Sequence, residues 1–242
     1  WVGQPLCFGF SLWARFRDML AGGGGSGPKP GRTLFIELSE MGSTILAAPA
    51  IQHVAQSDEL PPCFVIFEKN VASLHLLELF DEDDIYTLPD SGVFGMAMGI
   101  FGFWRWCRRK QVRVTIDLEL FARISSILSV ISGARTRIGF HNYRAEGLYR
   151  GEHLTQRVSY NPYQHMSRNF IAMVKSLGGA PGEEPNPKLV VPMPAQVVSK
   201  PVIHELRSYL QGELESLLPG SSTRRLVIVN PEAGALLPIR NW

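Results

Sequence analysis

Cysteine is scarce in this chain: Cys7, Cys63 and Cys107 are the only three in 242 residues, and they lie far apart. No CxxC pair and no Cys/His spacing of the kind that holds zinc is present. The three read as reduced, partly buried thiols of a cytoplasmic protein. Net charge is also scarce. A formal value of +2 argues against bulk nucleic-acid binding, which favours a strongly basic domain. Long apolar runs are missing. No stretch reaches the roughly 18–20 consecutive apolar residues of a membrane span. The opening "WVGQPLCFGFSLWARF" is apolar but is ended by Arg15 and Arg17, and it lacks the basic start and cleavage site of a signal peptide. It reads as a helix lying on the protein itself or on a membrane surface. Two nucleotide signatures, GxGxxG and GxxxxGK[ST], are absent as well, which weakens a dinucleotide or P-loop reading.

What is present is a core-forming α/β pattern. Hydrophobic residues make up 45% of the chain and charged residues 19%, enough for a sizeable core. The Gly-rich "AGGGGSGPKPG" reads as a flexible linker over 21–31, behind an apolar helix at 1–20. After it, strands alternate with helices. Strands are predicted at 33–38, 63–68, 84–88, 112–118 and 136–140. Helices are predicted at 43–56, with Ser43 as N-cap, and at 71–80, 93–109 and 119–131. An irregular stretch follows at 141–163, then a helix at 164–177, a strand in "KLVVPM", a helix at 195–217 and a strand and turn at 224–234. This alternation implies right-handed crossovers and a parallel, Rossmann-like sheet with helices on both faces. The main domain would run over 32–220, and 221–242 would begin another. The chain starts at Trp1 and stops on "PIRNW". Both ends read as cut, so the expectation is a fragment.

Parallel sheets place their sites at the carboxyl ends of strands. Three segments fall there. In "SEMGST", Gly42 would permit a tight turn, and the amides of Ser43 and Thr44 at a helix start could hold an anion. The plain alternative is a capped helix. In "IDLELFAR", Asp117 and Glu119 end a strand and Arg123 follows one helical turn on. The carboxylates could accept sugar hydroxyls or act as a base, and the arginine could grip phosphate. A local cap and a surface ion pair would use the same residues. The loop "RTRIGFHNYRAEGLYRGEH" offers Arg135, Arg137, Arg144 and Arg150 to an anionic acceptor, or serves only as a solvated loop. The helix "FGMAMGIFGFWRWCRRK" suits either an anionic membrane or the core, its last turn then setting cations against the helix dipole.

The order "LFIELSEMGSTILAAPAI … VTIDLELFARISSILSVISGARTRIGF … RLVIVNPEAG…IRNW" resembles glycosyltransferase family 9, the lipopolysaccharide heptosyltransferase-like family, from Thr33 to Trp242. The resemblance implies a GT-B fold, with an acceptor domain facing a nucleotide-sugar domain that is cut short here. It implies sugar transfer to a cell-envelope glycan or glycolipid at the cytoplasmic face of a bacterial inner membrane. No metal or cofactor and no nucleic acid partner is expected, and peripheral membrane contact fits that setting.

The resemblance also assigns roles. The family's first loop reads like "MGD", with the aspartate as base; here it is Met41, Gly42, Ser43. A serine hydroxyl cannot readily take a proton from a sugar hydroxyl. Glu40 is the nearest replacement as catalytic base and Glu119 the second. Gly42, Ser43, Thr44, Asp117, Arg123, Arg137 and Arg144 would bind the acceptor. In the later segment, Glu232, Gly234 and Arg240 would meet the donor, Arg240 keeping the charge for a diphosphate and Glu232 adding an anion beside it. Two other readings stand beside the transferase: a non-catalytic carbohydrate-binding relative and a membrane-associated scaffold.

Overall fold

The computed structural model describes residues 3–20, 31–90, 92–141 and 149–177, together with the helical residues 208–209, 211–213 and 215–216. The chain divides into two units, Trp1–Val197 and Val198–Trp242. All elements below belong to the first. The predicted strands at "KLVVPM" and 224–234, and the boundary near residue 220, lie outside the described residues.

Helix α1 (Gly3–Leu20) precedes strand β1 (Arg32–Ile36). Then come α2 (Met41–Leu46), α3 (Ala48–Ser57), β2 (Cys63–Phe67) and α4 (Ala72–Leu77). Strand β3 (Ile85–Leu88), α5 (Val93–Lys110), β4 (Val112–Asp117) and α6 (Arg123–Ile131) follow. Strands β5 (Thr136–His141) and β6 (Gln156–Ser159) and helix α7 (Met166–Lys175) complete the unit. The six strands form one parallel sheet in the order β3-β2-β1-β4-β5-β6.

Both faces of the sheet are covered, which is why strands β1 and β2 read as nearly continuous apolar runs. Successive residues of β1 alternate between the faces. Phe35 packs with Ile51 of α3, Phe64, Ile116 and Phe170 of α7. Leu34 and Ile36 pack on the other side with Phe103 and Trp106 of α5 and Leu128 of α6. Phe35 is fully buried, so its replacement by alanine costs about 3–5 kcal/mol.

Four local expectations are corrected. The single helix at 43–56 is two helices that meet at Ala47, with Pro49 in the first turn of α3. Proline has no N–H to continue a helix but fits a first turn. Ser43 is not an N-cap, because Glu40 holds that position and Ser43 lies within α2. The helix expected at 119–131 starts only at Arg123. The Arg150 side chain donates to the carbonyls of Glu119 (2.6 Å) and Ala122 (2.9 Å), so those oxygens serve a loop rather than a helical ladder. Finally, the irregular stretch at 141–163 contains β6, which pairs with β5 from Ile138↔Gln156 to His141↔Ser159.

Candidate functional site

The chain winds outward from β1 through β2 to β3, then returns to β4 on the other side of β1. A parallel sheet opens a crevice at such a switch point, outside the carboxyl ends of the two central strands. Ile36 and Asp117 are register partners there. Two short loops line the crevice, 37–40 after β1 and 118–122 after β4.

Those loops are tied together by one carboxylate. Glu119 Oε1 accepts hydrogen bonds from the Leu38 N–H (3.1 Å), the Ser39 N–H (3.0 Å) and the Ser39 hydroxyl (2.6 Å). Three donors on one oxygen fix the path of the β1–α2 loop. Glu37, only 2% exposed, is in hydrogen-bond contact with Glu119 and accepts from the Glu40 N–H at 3.2 Å. Burial, reinforced by the neighbouring Glu119 charge, pushes the Glu37 carboxyl up to about 9. At neutral pH Glu37 therefore keeps its proton.

Asp117 lies behind this pair. Its Oδ2 pairs with the Arg150 guanidinium and accepts from the Ser125 hydroxyl, while Oδ1 accepts from the Glu119 N–H at 3.2 Å. Burial pushes its carboxyl up, against the pull of Arg150, to about 6. Deeper still, His153 is buried between Arg137 and Arg150. Desolvation first, and then those two cations, push it down to about 3, so it is neutral.

The predicted site residues divide accordingly. Glu40 is exposed at the crevice mouth, where its Oε2 accepts from the Ser43 hydroxyl at 2.8 Å. Gly42 is exposed and its φ is not positive, so the backbone does not demand glycine. A Cβ there would meet nothing within 4 Å, leaving the first turn of α2 open to a ligand. Thr44 turns inward, fully buried, and donates to the Glu40 carbonyl through its N–H (3.1 Å) and hydroxyl (3.2 Å). Helix α2 spans six residues, too few to build a strong dipole, and carboxylates surround its start. The crevice thus suits hydroxyl donors better than a phosphate.

Arg123 is the first residue of α6 rather than one turn along a helix, and its Nε donates to the Tyr149 carbonyl at 3.0 Å. Arg137 does not join the group. It sits low on β5, two residues before the level of Asp117, and donates to the carbonyls of His153 (2.7 Å) and Ala134 (2.8 Å) and to Asp18 of α1 (2.5 Å). Arg144, Glu232, Gly234 and Arg240 lie outside the described residues. Two members of the cluster have roles that the sequence did not assign. Glu37 was signalled by a charge directly after an apolar strand, "LFIE". Arg150 was visible only as one of several arginines in a loop.

No protein-family model matches the chain, and no curated protein matches its sequence. Solved structures do share its fold. The E. coli heptosyltransferase WaaC with ADP is 15% identical, with a TM-score of 0.51 over 62% of this chain and 48% of that one. The same enzyme with ADP-2-deoxy-2-fluoro heptose gives 15%, 0.50, 64% and 50%. A glycosyl transferase of family 9 from Veillonella parvula gives 19%, 0.49, 64% and 43%. This chain spans about half the length of those structures. Its described parallel sheet is Rossmann-like, as the resemblance implies, and shares its fold with the WaaC structures.

Proposed function

We propose that this chain carries the acceptor side of an inverting glycosyltransferase, with its chemistry at the β1–β4 crevice. The observation that carries the reading is the gathering of four carboxylates, Glu37, Glu40, Asp117 and Glu119, at the switch point of a fold shared with a heptosyltransferase that binds ADP. An acceptor hydroxyl would enter at the open first turn of α2 and attack the anomeric carbon of a nucleotide-activated sugar. Glu40 would take its proton, since it alone of the four faces solvent. The Ser43 hydroxyl, standing where the family has its aspartate, holds that carboxylate in place. Glu119 is a positioning residue, with one oxygen saturated by the loop it fixes. Arg240 and Gly234 would face the diphosphate of the donor, and Arg123 and Arg144 the acceptor.

An ADP-activated heptose is the first donor to try, because the related fold is known with ADP and a heptose analogue. The test is sugar transfer by the full-length protein and by Glu40→Gln, over a panel of nucleotide-sugars and envelope glycolipids. Loss of a general base lowers the transfer rate about 100- to 10,000-fold. A Glu40→Gln protein with undiminished transfer would remove Glu40 from the reaction. Acceptor binding without turnover on any donor would instead favour the non-catalytic carbohydrate-binding reading, for which the serine at position 43 is the specific observation.

A further inference from the structure

The mouth of the crevice is not lined by polar groups alone. Phe121, in the β4–α6 loop, is 65% exposed, and Met41, the first residue of α2, is 50% exposed. A lone exposed apolar side chain on a protein surface needs no explanation. These two differ in how their backbone is held. The Arg150 guanidinium donates to the carbonyls of Glu119 (2.6 Å), Leu120 (3.4 Å) and Ala122 (2.9 Å), so it grips the chain on both sides of Phe121. Arg150 is itself anchored by Asp117 and by the Ser125 hydroxyl. The backbone ahead of Met41 is fixed in turn. Glu119 accepts from the Leu38 and Ser39 amides, and Glu37 accepts from the Glu40 N–H. A side chain presented to solvent from a clamped loop has little backbone freedom left to lose on binding.

Both side chains stand close to the exposed carboxylate. Met41 follows Glu40 directly, and Phe121 lies two residues beyond Glu119, whose Oε1 is bonded to Ser39. Two residues of chain reach about 7 Å at most. The mouth is therefore amphipathic, with two apolar side chains beside the exposed Ser39 and Glu40. A pyranose divides in the same way. It presents C–H bonds on its face and hydroxyls at its edge. The electron-rich face of a phenyl ring attracts the C–H side, and a carboxylate accepts from the edge hydroxyls. Other occupants fit less well. An acyl chain would desolvate Glu40 and offer it no donor. A carboxylated or phosphorylated ring would set its charge against Glu40, and Arg150 is already paired with Asp117.

We infer that Phe121, with Met41, is the platform on which the acceptor's reacting ring stacks, and that this ring is an uncharged pyranose. Its C–H face lies on the phenyl ring and its attacking hydroxyl points at Glu40. The inference rests on the transferase reading and adds to it the chemistry of the acceptor. Phe121 sets acceptor binding and specificity and takes no part in proton transfer.

Two measurements on the full-length protein test it. Saturation-transfer NMR without donor reads the binding of methyl glycosides of neutral hexoses and heptoses, and of a hexuronic acid. Steady-state kinetics with ADP-heptose reads transfer to the glycosides that bind. Neutral glycosides bind in preference to the acidic one. Phe121→Ala raises their Kd and KM about tenfold and leaves kcat little changed, the mark of binding shared by ground and transition states. Phe121→Trp restores both constants, and Met41→Ser raises them by less than Phe121→Ala does. Circular dichroism checks that each variant is folded. Three results overturn the inference: Kd and KM unmoved by Phe121→Ala, preference for the acidic glycoside, or no glycoside bound by the parent protein. With the first or second, continued transfer leaves the transferase reading standing without this platform. Binding that depends on Phe121, with no transfer from any donor, is the opposite case. The transferase reading then falls, and the platform stands in a carbohydrate-binding relative.

Discussion

In the crevice between β1 and β4, charge is buried; on the outer faces of α1 and α5, hydrocarbon is exposed. Both regions reverse the usual partition of a folded chain, and they differ in compensation. Each buried group of the crevice has a partner inside the chain: Asp117 has Arg150, Glu119 has the Ser39 hydroxyl and two loop amides, and the protonated Glu37 has Glu119. Of the large exposed side chains of α1, Trp13 meets Arg17 and Phe10 of its own helix, and Leu12, Phe16 and Met19 stay half exposed or more. A region compensated from within is sensitive to mutation of the fold. One that is not compensated within the chain is sensitive to what lies outside it.

The largest effect should come from Arg150. Its guanidinium holds Asp117, which is 1% exposed, together with the carbonyls of Glu119 and Ala122 that keep the β4–α6 loop out of the helix. Arg150→Ala leaves a buried carboxylate without its cation, and breaking such a pair costs about 3–5 kcal/mol. Urea unfolding measures it. Arg150→Lys should recover only part of the loss, because an ammonium cannot reproduce a fork that reaches two carbonyls and a carboxylate at once. A near-neutral Arg150→Ala would mean that the crevice is not held together by its charges, and the contrast between the two regions would collapse.

A smaller effect, with a pH signature, belongs to Glu37. Its carboxyl lies at about 9 in the folded chain, against 4.5 as the ordinary value. The folded state therefore keeps a proton that the unfolded state has released. The stabilisation is complete below about 4.5 and is lost as pH rises through about 9. Melting temperature should fall across that window, and Glu37→Gln should flatten the fall and make the protein more stable than the parent at pH 9, by about 1–3 kcal/mol. The acid limb belongs to other groups. His153, pushed down to about 3, contributes stability that is present above its ordinary value and lost as pH falls through that lower one. Glu37→Gln should leave the acid limb in place. Melting curves at several pH values separate the two groups.

These two residues also mark the limit of what the sequence discloses. The buried strands were legible because β1 and β2 are apolar on both faces, so that "TLFI" or "FVIF" has few alternatives, and β4 alternates Val112, Val114 and Ile116 with polar residues. Strand β6 was not: of "QRVS" only Val158 is buried, too weak an alternation to register inside a polar stretch. The division of α2 from α3 was signalled by Pro49, but proline in a first turn and proline in an interior look alike until the helix start is known. The start of α6 depends on Arg150, which arrives from beyond β5. The same holds for the site. Asp117 and Glu119 were singled out as strand-end carboxylates, and Glu40 from the resemblance, as the carboxylate nearest the serine that replaces the family's aspartate. Nothing local could show that Glu119 would be occupied by the β1–α2 loop, or that Glu37 would lie against it, because each contact joins segments far apart in sequence.

The smallest effect should come from the region that looks most hydrophobic. In a core, trading large apolar side chains for small polar ones costs several kcal/mol. Leu12 and Phe16 are 51% and 56% exposed, and α1 is held by Ser11, Arg17 and Asp18 on its opposite side. Replacing both with serine should change unfolding free energy in aqueous buffer by about 0.5 kcal/mol or less, the range of ordinary surface substitutions. Asp18→Asn, by contrast, removes the carboxylate from a guanidinium that is 2% exposed, and should cost more than the two apolar substitutions together. This ordering inverts the usual rank of apolar and polar mutations in an amphipathic helix. If the serine variant instead lost several kcal/mol, those side chains would be covered in solution by protein. A large loss for Leu12→Ser/Phe16→Ser and a negligible one for Asp18→Asn would mean that α1 docks by its hydrocarbon, in the opposite orientation to the one described.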